Sequence, residues 1–210
     1  MLNYYHQQPD VFTPRYLRKL EARILDCPYF VVNNLNRDFV GTKGFSVVFR
    51  RSHLAAVEEQ FPYFKLYLDR ALQPDCNAFY LNPLLLKSGS RVDPHIDRSL
   101  RSYCKTIDPP QVVSVLYVSV PADLVGGELI LRDHKRQVGQ ISPRTNTLLL
   151  FQGNLTHSIK PVTSASTRLS LVCEQYNLEE SELEDIPEFQ LESRALREAG
   201  KGRRAVKSSP

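Results

Sequence analysis

His95, Asp97, His157 and Arg168 are the residues of this chain whose types and spacing could do chemistry. His95 and Asp97 stand at i and i+2, so in an extended strand both side chains leave from one face and can reach one metal ion. His157 follows an apolar run, Leu148 to Phe151, and a Gly153-Asn154 turn, and opens another β-type segment. Two imidazoles and one carboxylate form a facial set that leaves metal positions open to ligands from solution, an arrangement suited to iron(II). An HxD tripeptide alone often does no more than cap a turn or make a surface hydrogen bond; the later histidine gives this one a partner.

Arg168 opens a strand on which Arg168, Ser170 and Val172 share a face. A buried guanidinium needs an anion to offset its desolvation, and its planar fork fits a carboxylate through two hydrogen bonds, with the Ser170 hydroxyl adding a third. The anion is either a small-molecule carboxylate or a protein group, Glu128 or Glu174, in a salt bridge.

These residues need a β scaffold, and the chain carries the pattern of one. From Asn77 onward, strand-like segments cover Ala78 to Leu86, Val112 to Val120, Glu128 to Arg132, Thr147 to Phe151, His157 to Pro161 and Arg168 to Tyr176, broken by turn clusters. Such a series suggests an antiparallel sandwich or jelly roll. Two helices precede it. Thr13-Pro14 caps the first, whose apolar positions Tyr16, Leu17, Leu20, Ile24 and Leu25 recur at helical spacing before Pro28. Ser52 can cap the second, with a face of Leu54, Val57, Phe61, Phe64 and Leu68 and a break at Pro62. Between the helices, Phe30 to Val32 and Phe45 to Phe49 read as strands. The expected class is therefore α+β: N-terminal helices packed on a β core, in one domain over 1–178 with the core at about 77–176, then an acidic-to-basic extension over 179–210. Within that extension a short amphipathic helix is expected from Glu188 to Arg197, before a disordered end.

Composition narrows the class. With 210 residues, 42% hydrophobic, the chain can bury a sizeable core. No run approaches the roughly 18 apolar residues of a membrane span, and residues 1–12 lack a signal-peptide pattern. Cys27, Cys76, Cys104 and Cys173 form no CxxC pair, which fits a reducing, cytoplasmic setting. The net charge of +4 comes largely from Arg194, Arg197, Lys201, Arg203, Arg204 and Lys207, so the core is near neutral and nucleic acid is not the expected partner. The loop from Arg98 to Gln111 follows a candidate ligand directly and carries Arg101 and Lys105, a charge that would favour an acidic substrate.

With His95-Ile96-Asp97, His157 and Arg168-Leu169-Ser170 in this order, the chain resembles the iron(II) and 2-oxoglutarate dependent dioxygenases, in particular the prolyl 4-hydroxylase-like branch. Gly126-Gly127-Glu128-Leu129 recurs there too, and the resemblance covers about residues 77–176. It implies a double-stranded β-helix (jelly-roll, cupin-like) core, iron held by His95, Asp97 and His157, and the distal carboxylate of 2-oxoglutarate held by Arg168 with help from Ser170. The implied reaction consumes O2 and 2-oxoglutarate, releases succinate and CO2, and hydroxylates an unactivated C–H bond. Related halogenases replace the carboxylate, whereas this chain keeps Asp97. Many members also carry a tyrosine on the strand leading into HxD, where this chain has Leu85 and Leu86; Tyr80, Asn82 and Tyr117 are the candidates to contact the co-substrate in its place. The expected substrate is a peptidyl residue such as proline, a free amino acid or a small metabolite. The alternatives are oxidative demethylation of nucleic acid and a non-catalytic jelly-roll binding module.

Overall fold

The computed structural model describes residues 4–32 and 38–196. Its elements run β1 (Tyr5–Pro9), α1 (Pro14–Leu25), β2 (Val31–Val32), β3 (Phe39–Val40), β4 (Lys43–Gly44), β5 (Ser46–Arg50), α2 (Leu54–Gln60), α3 (Lys65–Ala71), β6 (Ala78–Leu86) and β7 (Arg91–His95). Then follow β8 (Val112–Ser119), β9 (Leu129–Asp133), β10 (Arg136–Ile141), β11 (Thr147–Gln152), β12 (Thr156–Ile159), β13 (Arg168–Tyr176), α4 (Glu180–Leu183) and β14 (Phe189–Glu192).

The strands form two antiparallel sheets. In the larger, β1-β11-β8-β13-β6-β4-β2 lie side by side, with β5 pairing both β6 and β14; the smaller runs β10-β9-β12-β7-β3. Alternation along each central strand divides its side chains between two cores. Leu116 and Val118 of β8, Leu169, Leu171 and Cys173 of β13, and Phe79 and Leu81 of β6 turn towards the helices and join Leu17, Leu20 and Ile24 of α1 in one cluster. Val113, Val115 and Tyr117 of β8 turn the other way, to meet Leu129, Leu131 and Ile141 of the smaller sheet. The architecture is the expected α+β jelly roll with N-terminal helices on one face.

Local chemistry explains the helix positions. Thr13 Oγ1 accepts from the Tyr16 amide and Pro14 occupies the first turn, so α1 starts where a cap and a prepaid φ coincide. The second helical segment is broken at Pro62, as its sequence indicates, with a 3-10 turn over Pro62–Phe64 between α2 and α3. Ser52 caps nothing: it lies inside a 3-10 turn, Arg51–His53, and its hydroxyl meets His53 Nδ1. A buried polar knot ties α3 to the sheet. Gln175 of β13 accepts from the Gln73 amide at 2.7 Å and donates to the Ala71 carbonyl at 3.0 Å and to Ser114 Oγ at 3.1 Å, where Tyr67 also bonds.

The structure departs from the sequence reading at one further place. The helix expected from Glu188 to Arg197 is replaced over Phe189–Glu192 by strand β14, which pairs with β5 so that Phe189 and Leu191 pack on the helical-side core, and of the described residues in that span only 194–196 are helical. Its pairing partner decides its conformation, and residues 197–210, including the tail expected to be disordered, lie outside the described residues. Asp93 and Pro94 lie within β7, which ends at His95. Pro83 does not interrupt β6, which pairs with β13 in unbroken register from Ala78 to Leu86. On the other side β5 pairs through Leu81 and β4 resumes at Leu84, so the proline's missing N–H coincides with a gap in that ladder.

The Gly126-Gly127 pair lies against the Pro161–Val162 segment, with Gly126 bridging to Val162. Both residues have positive φ, at 82° and 76°, and a Cβ on Gly126 would fall 2.0 Å from the Pro161 carbonyl oxygen. Gly126→Ala is therefore expected to destabilise the fold by more than ~2 kcal/mol, through left-handed strain plus a backbone collision. Chemical denaturation with an unchanged slope and a lower midpoint is the expected reading.

Candidate active site

The smaller sheet brings the first three residues together. His95 at the end of β7 and His157 on β12 are register partners, with ring centres 4.3 Å apart. Asp97 lies two residues past the strand, buried, with Oδ1 3.2 Å from His95 Nε2 and Oδ2 3.4 Å from His157 Nε2. The HxD pair thus converges because the chain turns in after the strand, not because both residues sit on one strand face.

Each imidazole is oriented from behind. His95 Nδ1 lies 2.8 Å from the Asp93 carbonyl and His157 Nδ1 lies 3.2 Å from the Leu155 carbonyl, so Nδ1–H donates outward in both and Nε2 points to the centre. Phe39 and Phe151 contact the two rings at their edges, with centroids at 5.4 and 5.1 Å.

This set fits a divalent metal. One ligand atom from each residue lies within 4.8 Å of the others, the donors are two nitrogens and one oxygen, and the buried Asp97 Oδ2 has no hydrogen-bond partner among the described residues. Burial pushes the Asp97 carboxyl up, yet the neighbouring imidazoles of His157 and His95 overcome it and hold Asp97 below the usual range. The two imidazoles shift in opposite directions: burial lowers His157, whereas at His95 burial is outweighed by the hydrogen bond and charge of Asp97, which raise it. A bound metal would take both Nε2 atoms in their unprotonated form.

Arg168 sits at one end of the same cavity and is 1% exposed. Its Nη1 donates to Ser170 Oγ at 3.2 Å, its guanidinium carbon lies 5.4 Å from the centre of the Tyr117 ring, and its Nε has no partner. Among the described residues no carboxylate forms an ion pair with it. Glu174, one suggested partner, instead accepts from the Ser99 amide and hydroxyl and from the Tyr176 hydroxyl. The Tyr117 hydroxyl is also buried without a partner. Gly127 makes room here, since a Cβ on it would lie 3.3 Å from Arg168 Nε. A buried cation, a hydroxyl beside it and an unpartnered N–H together describe a seat for an anion.

Register separates the three co-substrate candidates. Ser170 pairs with Tyr117 of β8, which puts Tyr117 beside Arg168. On β6, Leu86 is opposite Arg168, whereas Asn82 is opposite Val172 and Tyr80 opposite Glu174. Tyr80 therefore stands roughly 20 Å along the strand from Arg168, at about 3.3 Å per residue. All three line the cavity of about 330 Å³ that also holds the triad, Arg168 and Ser170.

Two further lining residues escaped the sequence reading as site groups. Glu174 follows from the alternation that gave Arg168 and Ser170, because it continues the same β13 face. Glu192 was hidden by the mistaken helix. Burial and the Asp97 charge raise the Glu174 carboxyl from 4.5 to about 8. Its folded value stands above its unfolded one, so it contributes stability that is complete below about pH 4.5 and lost as pH rises through about 8. The metal-free protein is expected to lose thermal stability across that window and Glu174→Gln to lose less, measured by melting at pH 5, 6.5 and 8.

Comparisons with known proteins agree with this geometry. The family model described as the 2OG-Fe(II) oxygenase superfamily matches residues 80–173. No curated protein sequence matches the chain. Among solved structures, the chain resembles a Pseudomonas putida prolyl-4-hydroxylase at 16% identity and TM-score 0.55, covering 84% of this chain and 94% of that one. It also resembles a Trichoplax adhaerens prolyl hydroxylase in complex with a hypoxia inducible factor oxygen degradation domain peptide, at 16% identity and TM-score 0.55, covering 86% of each chain. A Burkholderia pseudomallei oxidoreductase of the 2OG-Fe(II) oxygenase family gives 13% identity and TM-score 0.56, covering 84% of this chain and 86% of that one. At these identities the structural likeness speaks for the fold.

Proposed function

We propose, from the match of residues 80–173 to the family model of the 2OG-Fe(II) oxygenase superfamily, that the protein hydroxylates an unactivated C–H bond of a peptidyl residue, free amino acid or small metabolite. The observation that carries the proposal is the sharing of one cavity by a converged His95–Asp97–His157 set and a buried, unpaired Arg168.

His95 and His157 would hold iron(II) through Nε2 and Asp97 through its carboxylate. Once bound, iron with 2-oxoglutarate and O2 supplies the oxidation, in which the co-substrate leaves as succinate and CO2 while the substrate gains a hydroxyl group. The chain's own residues do the rest. Arg168 would take the distal carboxylate of 2-oxoglutarate, with Ser170 and Tyr117 completing the seat, so that Tyr117 would stand in for the tyrosine missing at Leu85–Leu86. Tyr80 and Asn82, being farther along β6, are assigned to the substrate end. Phe39, Phe151, Val113, Val115 and Val172 wall the cavity with apolar groups and limit water at the metal. A prolyl-hydroxylase-like activity draws support from the shared fold, and the peptide bound to the Trichoplax adhaerens enzyme makes a peptide substrate a natural arm of the test.

Succinate release from 2-oxoglutarate should be followed with prolyl peptides, free amino acids and a methylated oligonucleotide. Turnover stimulated by a peptide or amino acid, and absent in Asp97→Ala, is expected. Stimulation by the oligonucleotide alone would favour the demethylase alternative, and no succinate under any condition would favour a binding module.

A further inference from the structure

The cavity has two chemically opposite ends. Arg168, Ser170 and Tyr117 make the cationic one. At the other end Tyr80, Asn82 and Glu174 line the cavity with Glu192 of β14, the last positioned by pairing with Ser46. Between them the floor is apolar: Leu84, Val113, Val115 and Val172.

The far end presents acceptors. Ser46 Oγ donates to the Tyr80 hydroxyl at 2.6 Å, so it accepts from Asn82 Nδ2 at 3.3 Å. That fixes the Asn82 amide with Oδ1 free, and Oδ1 is buried with no hydrogen-bond partner on a side chain only 7% exposed. Leaving a buried carbonyl-type oxygen unbonded is costly, and a donor from a ligand would offset that cost. Glu192 is half-buried and already accepts from the Tyr103 hydroxyl at 2.5 Å, leaving lone pairs on its carboxylate for a further donor.

Charge points the same way. With iron(II) and doubly charged 2-oxoglutarate in place, Asp97 and Arg168 bring the metal end to neutrality. The other charged residues lining the cavity are Asp38 and Glu192 against one exposed cation, Arg98, while Glu174, raised to about 8, is protonated at neutral pH. The basic residues of the following loop are turned to its own backbone: Arg101 Nε donates to the Ile107 carbonyl and Lys105 Nζ to the Arg101 carbonyl. The acidic substrate suggested by that loop's composition is thus disfavoured by what actually faces the cavity.

We infer that the substrate carries a cationic nitrogen, an amine or guanidinium, on a short aliphatic chain, with the nitrogen donating to Asn82 Oδ1 and Glu192 and the methylenes lying on Leu84, Val113, Val115 and Val172 beside the metal. This rests on the oxygenase reading above and specifies its substrate class. Free basic amino acids and basic side chains in a peptide share the chemistry.

The test uses the full chain loaded anaerobically with Fe(II) and 2-oxoglutarate and first shown to give their visible charge-transfer band. Binding of L-lysine, L-arginine and acetyl-Gly-Lys-Gly-amide is then measured by calorimetry beside the neutral isosteres L-norleucine, L-citrulline and acetyl-Gly-norleucine-Gly-amide, with L-glutamate as the anionic control. At least one cationic probe should bind tenfold or more tightly than its neutral isostere, the free or the blocked form telling which source is used. Glu192→Gln, an isosteric change at a half-buried position, and Asn82→Leu should each reduce that preference to twofold or less. A band with no cationic preference, or with glutamate bound best, overturns the inference and leaves the oxygenase reading standing. Absence of the band overturns that reading, and the inference falls with it.

Discussion

Arg168→Gln is expected to weaken 2-oxoglutarate binding by roughly 100-fold or more while leaving iron binding in place. Removing one partner of a buried, hydrogen-bonded charge pair costs about 2–5 kcal/mol, and at 1.4 kcal/mol per tenfold that spans tens to thousands in affinity. The same residue makes a second, opposite prediction about stability. Arg168 is 1% exposed, its Nε is unbonded and no carboxylate among the described residues forms an ion pair with it, so in the ligand-free protein it is a desolvated cation that Tyr117 and the longer-range charge of Glu128 offset only in part. A shape-conserving Arg168→Met variant should melt no lower than the parent without ligand, and should lose the rise in Tm that 2-oxoglutarate gives the parent. A structural arginine would behave in reverse: the variant would melt several degrees lower and still respond to 2-oxoglutarate.

The second large effect is loss of the metal. Asp97→Ala and His157→Ala each remove one of three protein ligands, and even groups behind the ligands are worth about 10–100-fold in metal affinity, so each substitution should weaken Fe(II) binding by more than about 100-fold. Folding should survive in both. Both side chains line the cavity and lie outside the apolar clusters that join sheets and helices, so the packing that holds the sheets together is kept. Circular dichroism of the variants should match the parent while competition against a chromophoric chelator shows the lost affinity. Unchanged affinity in both would mean that the metal, if any, binds elsewhere.

How far the sequence disclosed this site depends on where each residue gets its position. Arg168 and Ser170 lie on a strand buried on both faces, and His157 on a short strand that follows the apolar β11; apolar runs and turn clusters mark these elements, a period of two marks the face, and the β13 boundaries match the expected Arg168 to Tyr176. The same rule applied two residues further would have yielded Glu174. Asp97 meets the two histidines by a route other than the shared strand face its spacing suggests, since its approach depends on a turn after β7 that no periodicity encodes. β1 and β14 were missed because they are edge strands of mixed polarity. Tyr5–Pro9 shows almost no apolar alternation and is held by its ladder with β11, and Phe189–Glu192 spaces its apolar residues in a way that also suits a helix until β5 supplies a partner. Glu192 and the acceptor-lined end of the cavity went unread with β14. The charge of the Arg98 to Gln111 loop misled for another reason: composition counts Arg101 and Lys105, but only the folded loop shows them bonded to their own backbone.

The most direct measurement is an anaerobic titration of the metal-free protein with Fe(II) and then 2-oxoglutarate, followed in the visible, with His157→Ala and Arg168→Gln alongside. A site built from His95, Asp97, His157 and Arg168 predicts a charge-transfer band that saturates at one equivalent of each, is absent in His157→Ala, and in Arg168→Gln appears only at far higher 2-oxoglutarate. No band in the folded parent protein, or the same band at the same concentrations in both variants, would contradict it.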